Sequence, residues 1–374
     1  MVRSVFYYTD SRFFGGAEQA LLILIESLDR RAWQPTLLYT DTPALAVLAQ
    51  KAREIGAVVR SVPEIPYGLY GARHVPAFAR ELRRARPSVF HAHLSWPFAA
   101  KYGLVAALLA RVPAVVTTLQ LFPDFRLRRT TAIQGRLIAG RVGRCIAVSH
   151  HIARRLRENL HWPAHKIEVI HNAVQTERFG HSADSAVRAA LSGAGRPILL
   201  TVARLDSQKG HDVLLRAIAQ VPDAQLVLAG DGPERAALES QASALGLGDR
   251  VRFLGHRTDV SQLLAASDVF VLPSLYEGSS LAVLEAMAAM RPVVSTAIGG
   301  TDELILHGES GLLVPPANPD ALALALREVL ASPQLRTRFA ASARLRVEQR
   351  FSASVMAERV SCVYEDLLRV PASL

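Results

Sequence analysis

The chain has 374 residues, which is too long for one ordinary domain and fits two, each able to bury a core. Half of the residues are hydrophobic, so the chain is globular, and its longest uninterrupted apolar run, about residues 104–110, is far too short to span a membrane. The formal net charge is +10, and two scattered cysteines, Cys145 and Cys362, exclude a disulfide framework or a zinc site.

Strands and helices alternate through the first half of the chain. The apolar patterns predict strands at residues 2–9, 34–39, 58–62, 88–92, 114–118, 144–148 and 167–170, and helices at residues 17–29, 45–54, 75–84, 99–109 and 152–160. This alternation is typical of a parallel sheet with helices on both faces. No signal peptide is visible before the first strand, so we expect a cytosolic protein.

A second alternation follows a mixed, glycine-containing stretch at residues 172–196, which is the best linker candidate. Strands are predicted at residues 198–202, 225–229, 251–253, 268–273 and 292–296, and helices at residues 212–220, 234–245, 260–266, 281–290, 319–330, 334–350 and 353–369. The expected fold is therefore α/β, with two doubly wound Rossmann-like domains, residues 1–180 and 181–374. Such domains hold a ligand in a central cleft faced by the carboxyl ends of their strands.

The stretch from Glu277 to Glu285 joins an apolar strand to an apolar helix through a loop that contains glycine. The start of that helix presents backbone N–H groups and a positive dipole end, which suit a sugar hydroxyl or a phosphate oxygen. Two ionised glutamates at this place could bind the hydroxyls of a ribose edge. They could instead be the acid and nucleophile of a glycosidase, or a solvated loop charge and a helix surface residue.

Other motifs follow strand ends. Arg204 and Lys209 come after the first strand of the second half, where two cations can clamp a diphosphate and stabilise it as it leaves, although they could also belong to a solvated loop. Gly15-Gly16 precedes the first helix and allows an anion to approach its backbone, but a plain tight turn fits equally well. His91 and His93 end a strand, and one of them could hydrogen-bond an acceptor or a transferred group at the cleft. A core histidine with a satisfied partner fits His91 about equally well, so we favour His93 for function.

The positive charge is concentrated in the first half. Residues 1–180 contain 25 Lys and Arg against 12 Asp and Glu, a balance of +13, whereas residues 181–374 contain 18 against 21, a balance of −3. Such a field would attract an anionic membrane surface, a phosphorylated acceptor or nucleic acid, although a bias toward arginine in the genome would produce part of it with no partner. The arginine clusters are Arg80, Arg83, Arg84 and Arg86; Arg126, Arg128 and Arg129; and Arg154, Arg155 and Arg157.

Five motifs together resemble a known family. They are Gly15-Gly16-Ala17-Glu18, His91-Ala92-His93, Ala203-Arg204-Leu205 with Lys209-Gly210, Gly230-Asp231-Gly232-Pro233-Glu234, and Glu277 with seven residues before Glu285. This set resembles the retaining glycosyltransferases of family 4, which have the GT-B fold, and the resemblance extends from Thr9 to Pro315. It is specific for the family and poorly specific for the substrate.

The resemblance implies a role for each matching residue. Arg204 and Lys209 would bind the diphosphate of a nucleotide-sugar donor, Glu285 the ribose hydroxyls, and Glu277 the hydroxyls of the transferred sugar. It also implies that the last helix, residues 353–369, crosses back onto the N-terminal domain.

Further residues are implied on either side of the donor. Gly16 would approach the diphosphate, His93 would lie beside the sugar and the acceptor, and His256 would face the nucleotide base. Backbone N–H groups near the sugar and phosphate would come from Gly278, Ser279, Ser280 and Leu281.

Some positions depart from the family pattern. Met290 stands in place of a customary glycine, and Gln120 stands where a histidine often follows the threonine pair, which bears on acceptor choice. Residues 171–175 lack the usual Pro, Gly and Asp, which affects turn and hinge geometry.

The implied reaction moves a sugar from a nucleoside diphosphate to an acceptor hydroxyl with retention at the anomeric carbon. No carboxylate is clearly placed as a nucleophile, so a front-face route is expected, in which the leaving diphosphate helps accept the proton of the acceptor. No Asp-x-Asp metal site appears, and no metal or other cofactor is expected. We favour UDP over GDP only because it is more frequent in such enzymes.

Two alternatives remain: a nucleotide-sugar epimerase or hydrolase on the same fold, and a non-catalytic basic protein that binds a membrane or nucleic acid. No RNA-binding aromatic signature accompanies the arginine clusters, so nucleic acid is not expected. The preferred hypothesis is a cytoplasmic enzyme whose basic domain contacts the inner face of an anionic membrane. Its acceptor would be a glycan of the cell envelope, a lipid-linked glycan or a small molecule.

Overall fold

The computed structural model describes residues 2–66, 69–122, 129–182, 184–192 and 195–369. The chain forms two compact units: unit 1 is Met1–Asn172 with Ala353–Leu374, and unit 2 is Ala173–Ser352. The chain thus passes from one unit to the other after Asn172 rather than between residues 180 and 181, and it returns to unit 1 after Ser352. Arg126 and Arg128 of the second arginine cluster lie outside the described residues.

Unit 1 is built on a parallel sheet of seven strands in the order β3-β2-β1-β4-β5-β6-β7. The central strands are buried on both faces, and most of their buried residues are apolar. The strands are β1 (Arg3–Thr9), β2 (Trp33–Thr40), β3 (Val58–Val62), β4 (Val89–Leu94), β5 (Ala114–Leu119), β6 (Arg144–Ala147) and β7 (Ile167–Val169). The helices between them are α1 (Gly16–Ser27), α2 (Ala46–Glu54), α3 (Val75–Ala85), α4 (Lys101–Leu109), α5 (Arg129–Arg141) and α6 (His150–Leu160).

Unit 2 repeats the plan with six parallel strands in the order β10-β9-β8-β11-β12-β13. The strands are β8 (Ile198–Val202), β9 (Gln225–Ala229), β10 (Val251–Gly255), β11 (Val269–Leu272), β12 (Val293–Thr296) and β13 (Leu312–Val314). The helices are α7 (Ser185–Leu191), α8 (His211–Ala219), α9 (Arg235–Ala244), α10 (Val260–Ala266), α11 (Leu281–Ala288), α12 (Pro319–Ala331) and α13 (Pro333–Arg350). The expectation of two α/β domains with parallel sheets is confirmed.

The interpretation of residues 172–196 as a linker is wrong over α7. This short helix is capped by Asp184, whose side chain accepts a hydrogen bond from the backbone N–H of Ala186 at 2.8 Å. Leu191 is buried in the core of unit 2, and Arg188 donates to the carbonyl of Ala266 at 2.7 Å. Seven residues are too few for a helical repeat of apolar residues to stand out among glycines.

The last helix, α14 (Ala353–Arg369), belongs to unit 1 and packs against α1. Its Tyr364 is fully buried, and the phenol oxygen lies 2.5 Å from Nδ1 of His91 and 3.1 Å from the phenol oxygen of Tyr7. Nε2 of His91 in turn lies 2.7 Å from the Thr118 hydroxyl. Of the two readings of His91, the structure therefore supports the core histidine with satisfied partners. None of the described helices is long and apolar enough to cross a bilayer.

Met290 follows α11 in a left-handed conformation, with φ at +57° and a side chain that is 43% exposed. A side chain with a Cβ costs about 1 kcal/mol in this region, and glycine avoids that cost. We expect Met290→Gly to stabilise unit 2 by about 0.5–1 kcal/mol in chemical denaturation.

The neighbouring Ala289 supplies the matched control, because its φ of −78° is ordinary. Ala289→Gly should destabilise the protein by a similar amount, since it adds backbone freedom without relieving strain. Equal losses in the two variants would contradict this account of Met290.

Candidate functional site

Two loops of unit 2 meet at the carboxyl edge of its sheet, because β8 and β11 are neighbouring strands. The turn after β8 is joined to the loop after β11 by two hydrogen bonds. The backbone N–H of Leu275 donates to the Gln208 carbonyl, and the Gln208 amide donates to the Tyr276 carbonyl, each at 2.8 Å. The sequence places these loops 68 residues apart, and the strand order brings them together.

The Glu277 carboxylate is held by two donors from these loops. Nζ of Lys209 lies 2.5 Å from Oε1 of Glu277, and the Ser274 hydroxyl donates to the same oxygen at 2.7 Å. The side chain of Glu277 is only 8% exposed and that of Lys209 19%. The interpretation of Glu277 as a solvated loop charge is therefore wrong, and the three side chains form one polar cluster.

Arg204 lies on the same turn as Lys209 but contacts a different carboxylate. Its guanidinium pairs with Asp206, with Nε at 2.6 Å from Oδ2, and its side chain remains 53% exposed. Nε2 of His211 lies 3.1 Å from the carbonyl oxygen of Arg204. The structure thus places both predicted cations at one strand end, and the more exposed guanidinium is open to an anion from solvent.

Two glycines, one in the turn after β8 and one after β12, allow these segments to approach the loop after β11 closely. Gly210 has φ at +64°, and a Cβ there would overlap the carbonyl of Pro273 at the end of β11. Gly300 has φ at +103°, and a Cβ there would overlap the carbonyl of Gly278. Side chains at these positions would push the loops apart and displace Glu277 from Lys209.

The start of α11 lies directly after this cluster. Ser280 is the N-cap, and its hydroxyl accepts a long hydrogen bond of 3.4 Å from the backbone N–H of Val283. Ser279 and Ser280 are buried, and Gly278 and Leu281 flank them. The positive end of the helix therefore faces the same loop edge as Lys209 and Arg204.

Glu285 lies one turn inside α11 and is partly buried. Burial raises the pKa of its carboxyl to about 7, although the side chain keeps some contact with solvent. Among the side chains that the structure describes, none is within hydrogen-bond or ion-pair distance of this carboxyl. A carboxylate with open acceptor positions can bind the two hydroxyls of a diol.

His256 follows β10 at the edge of the same sheet and is exposed. The turn after β9 is joined to this strand end, since the backbone N–H of Gly230 donates to the Gly255 carbonyl at 2.8 Å. Unit 2 thus contains His256 and the predicted residues from Arg204 to Glu285 along one sheet edge.

Two further predicted residues lie in unit 1. The backbone N–H of Gly15 donates to the carboxyl of Glu18 at 2.9 Å, which fixes the turn where α1 begins at Gly16. No described atom lies within 4 Å of the position that a Cβ on Gly16 would take. Packing within the described chain therefore does not require glycine at position 16. The space that a side chain would fill there is available to a ligand.

His93 is buried in unit 1, on the sheet face that α1 and α14 cover. Its ring lies 4.7 Å from that of His91, and burial lowers its pKa to about 3, so it is neutral at physiological pH. Within the described part of the chain, neither ring nitrogen has a hydrogen-bond partner. A role of His93 beside a sugar stays a prediction.

Gln120 lines the same small cleft as His93 and forms a reciprocal amide pair with Asn172. The Gln120 amide donates to Asn172 at 3.2 Å, and the Asn172 amide donates back at 2.8 Å. Gln120, which stands where the family often has histidine, thus connects the end of β5 to Asn172, the residue after which the chain leaves unit 1.

Sequence reasoning missed Ser274 and Asp206. Both could have been noticed, since Ser274 directly follows the β11 region and Asp206 lies between the two predicted cations. Across the described ranges, no group of three His, Cys, Asp or Glu side chains could hold a metal ion.

Two family models match the chain. Residues 14–178 match the model described as glycosyltransferase family 4, and residues 184–346 match the model described as glycosyl transferases group 1. The D-inositol 3-phosphate glycosyltransferase of Mycolicibacterium gilvum is 30% identical, over 74% of this chain and 69% of the relative. The alpha-D-kanosaminyltransferase of Streptomyces kanamyceticus is 27% identical, over 92% of this chain and 98% of the relative.

Solved structures share the fold. The crystal structure of Anabaena HepE in complex with UDP-glucose superposes with a TM-score of 0.86 at 24% identity, covering 97% of this chain and 99% of that chain. Family models over both halves, a relative at 30% identity and the two parallel-sheet units agree with one another. The chain therefore belongs to the glycosyltransferases of family 4, enzymes with the GT-B fold.

Proposed function

We propose that this glycosyltransferase moves a sugar from a nucleoside diphosphate, with UDP favoured and GDP the alternative, to an acceptor hydroxyl with retention. The observation that carries the proposal is the cluster of Lys209, Glu277 and Ser274 at the carboxyl edge of unit 2, beside the start of α11. The UDP-glucose in the HepE structure supports the choice of a UDP-sugar.

Each charged group has a distinct role in the proposed donor site. Lys209 and the more exposed Arg204 neutralise the diphosphate, Arg204 as a planar fork and Lys209 as a point charge. Glu285, with its open acceptor positions, binds the ribose hydroxyls. Lys209 and Ser274 hold one carboxylate oxygen of Glu277. The other oxygen accepts a hydrogen bond from a hydroxyl of the sugar.

The remaining donor contacts are backbone groups and histidines. Gly16 leaves room for the diphosphate, and His256 lies at the sheet edge that would face the base. His93, held neutral by burial, donates or accepts one hydrogen bond near the sugar and the acceptor. Backbone N–H groups near the sugar come from Gly278, Ser279, Ser280 and Leu281.

Retention follows a front-face route in this proposal. Glu277 is engaged by a cation and a hydroxyl, so it is poorly suited to attack the anomeric carbon. The diphosphate oxygen that leaves the anomeric carbon accepts the proton of the acceptor hydroxyl, and the new glycosidic bond forms on the same face. Arg204, Lys209 and the helix dipole stabilise the developing charge, with no divalent ion or other cofactor needed.

The acceptor class is a glycan of the cell envelope, a lipid-linked glycan or a small molecule. We also propose a cytoplasmic location, with peripheral contact between the basic unit 1 and an anionic membrane. The excess of +13 in residues 1–180 supports this contact.

Thermal unfolding against UDP, GDP, ADP and their common sugars tests the donor site, since a ligand that binds only the folded state raises the midpoint. We expect a shift for uridine nucleotides that Arg204→Ala weakens. Arg327→Ala, an exposed change on α12, should leave the shift intact. No shift with any nucleotide would overturn the donor site, and consumption of UDP-sugar without an acceptor would replace transfer by hydrolysis or epimerisation.

A further inference from the structure

One face of unit 1 carries exposed arginines on three helices. Helices α3 and α4 pack side by side, as do α4 and α5 and then α5 and α6. Only Glu81 and Glu158 are exposed acidic residues on α3, α5 and α6 within the described ranges. The exposed arginines, which we call the basic face, are Arg80, Arg83, Arg84, Arg136, Arg141, Arg154 and Arg157.

The basic face differs from unit 2 in how its arginines are paired. Over the described residues, none of these seven arginines has a carboxylate within ion-pair distance. In unit 2, by contrast, acidic partners neutralise many of the arginines. The paired ones are Arg188, Arg196, Arg204, Arg216, Arg235, Arg257 and Arg344. The basic face is therefore suited to an anionic partner from outside the chain.

Two large apolar side chains lie exposed in the middle of this basic face. Ile133 is 62% exposed and Leu137 57%, and they are one helical turn apart on α5. Along the helix, Arg136 lies between them in the chain and Arg141 follows one turn after Leu137. An anionic surface with an apolar layer beneath it matches this combination, because the arginines can contact its charges while the two aliphatic side chains insert.

We propose that the basic face docks on an anionic phospholipid bilayer, with Ile133 and Leu137 inserted at the level of the headgroups. The proposal rests on the peripheral contact included in the proposed function and locates it. Nucleic acid fits less well, since α3, α5 and α6 expose no Phe, Tyr or Trp side chain within the described ranges on which a base could stack.

Co-sedimentation of the full chain with vesicles tests the docking. Vesicles of phosphatidylcholine alone are compared with vesicles that contain phosphatidylglycerol, at about 0.1 M salt, where charges within roughly 10 Å still interact. We expect binding to the anionic vesicles only. Arg154→Glu with Arg157→Glu, and separately Ile133→Ser with Leu137→Ser, should each weaken it about tenfold or more.

Matched variants in unit 2 test whether vesicle binding depends on the basic face itself or only on the overall charge and exposed apolar area of the protein. Leu324 and Leu345 are 63% and 54% exposed, so changing both to serine removes similar apolar area elsewhere. Arg216→Glu with Arg327→Glu repeats the charge reversal outside the basic face. These two double variants should bind vesicles as the parent protein does.

Equal binding of the protein to neutral and anionic vesicles would overturn the docking, and so would equal losses of vesicle binding in the unit 2 variants. A third outcome would also overturn it, in which duplex RNA competes with the vesicles and the Ile133→Ser, Leu137→Ser variant binds vesicles normally. Each variant is also unfolded thermally with and without UDP. A retained nucleotide shift shows that the donor site is intact when docking is lost. Vesicle binding without any nucleotide shift would instead overturn the proposed transferase site and leave the docking in place.

Discussion

Replacing Lys209 with alanine should lower kcat for sugar transfer by about 100- to 1,000-fold. In the proposed site, Lys209 stabilises the charge that builds on the leaving diphosphate, and the removal of one preorganised donor of this kind typically costs that much. The variant also leaves Glu277 with the Ser274 hydroxyl alone, in a place where the carboxylate is only 8% exposed. Steady-state kinetics with saturating donor measure the loss.

The structure also predicts a loss of stability in the same variant, which must be separated from the loss of rate. Breaking a buried ion pair by removing one partner costs up to about 3–5 kcal/mol, because a charge stays buried without compensation. Adding Glu277→Gln removes that charge, so the double variant should regain stability in chemical denaturation. It should not regain activity, since the cation is still absent.

Arg216→Ala is the matched control for this pair. Arg216 and Asp212 form an ion pair on α8 whose side chains are 47% and 49% exposed. Its loss should change the free energy of unfolding by less than about 1 kcal/mol and leave kcat unchanged. A folded Lys209→Ala protein that keeps kcat within about threefold of the parent would remove Lys209 from the proposed mechanism.

The alternation of apolar runs predicted the sheets of this protein well. Residues 5–8 of β1 and the whole of β11 are continuous apolar segments, and each is bounded by polar or glycine-containing stretches. Three elements escaped prediction for physical reasons. Strand β13 has three residues, α7 has seven, and α5 contains glycines that weaken its helical pattern.

Contacts between distant segments could not be predicted from spacing. The pairing of Lys209 with Glu277 depends on β8 and β11 being neighbours, which only the strand order decides. The same is true of His91 and Tyr364, which are 273 residues apart and meet because α14 returns to unit 1. The resemblance predicts the donor-site residues as a set, whereas the hydrogen bond that joins Ser274 to Glu277 depends on how the loop after β11 is packed.

Glu285→Gln should stabilise the protein above neutral pH while weakening nucleotide binding. Burial raises the pKa of this carboxyl from its ordinary value of 4.5 to about 7 in the folded state. Below the ordinary value the carboxyl is protonated in both states, and its ionisation has no effect on stability. As the pH rises from there to about 7, the unfolded chain ionises first, so the folded state loses stability. Above that range the cost is constant, at up to about 3 kcal/mol.

Glutamine has nearly the same shape as glutamic acid and cannot ionise. The midpoint of thermal unfolding should therefore match that of the parent near pH 4, below the ordinary value of the carboxyl, and exceed it by several degrees near pH 8. Glu328→Gln on α12, an exposed position, should show no such dependence. A lower midpoint for Glu285→Gln near pH 8 would contradict the burial of an ionisable carboxyl at this place.

Nucleotide binding should respond in the opposite direction. In the proposed site, an ionised Glu285 accepts hydrogen bonds from two ribose hydroxyls, whereas glutamine offers one acceptor oxygen and an amide that only donates. Calorimetric titration with UDP should give an affinity about 10- to 100-fold lower for the variant, since hydrogen bonds to charged groups contribute about 1.5–3 kcal/mol. The affinity of the parent should rise as the pH passes through about 7, and that of the variant should stay flat. If the affinity of the parent protein for UDP does not change with pH, the ribose binds elsewhere. If the affinity rises as predicted, the Glu285 carboxylate, whose ionisation destabilises the fold, is retained because it binds the nucleotide.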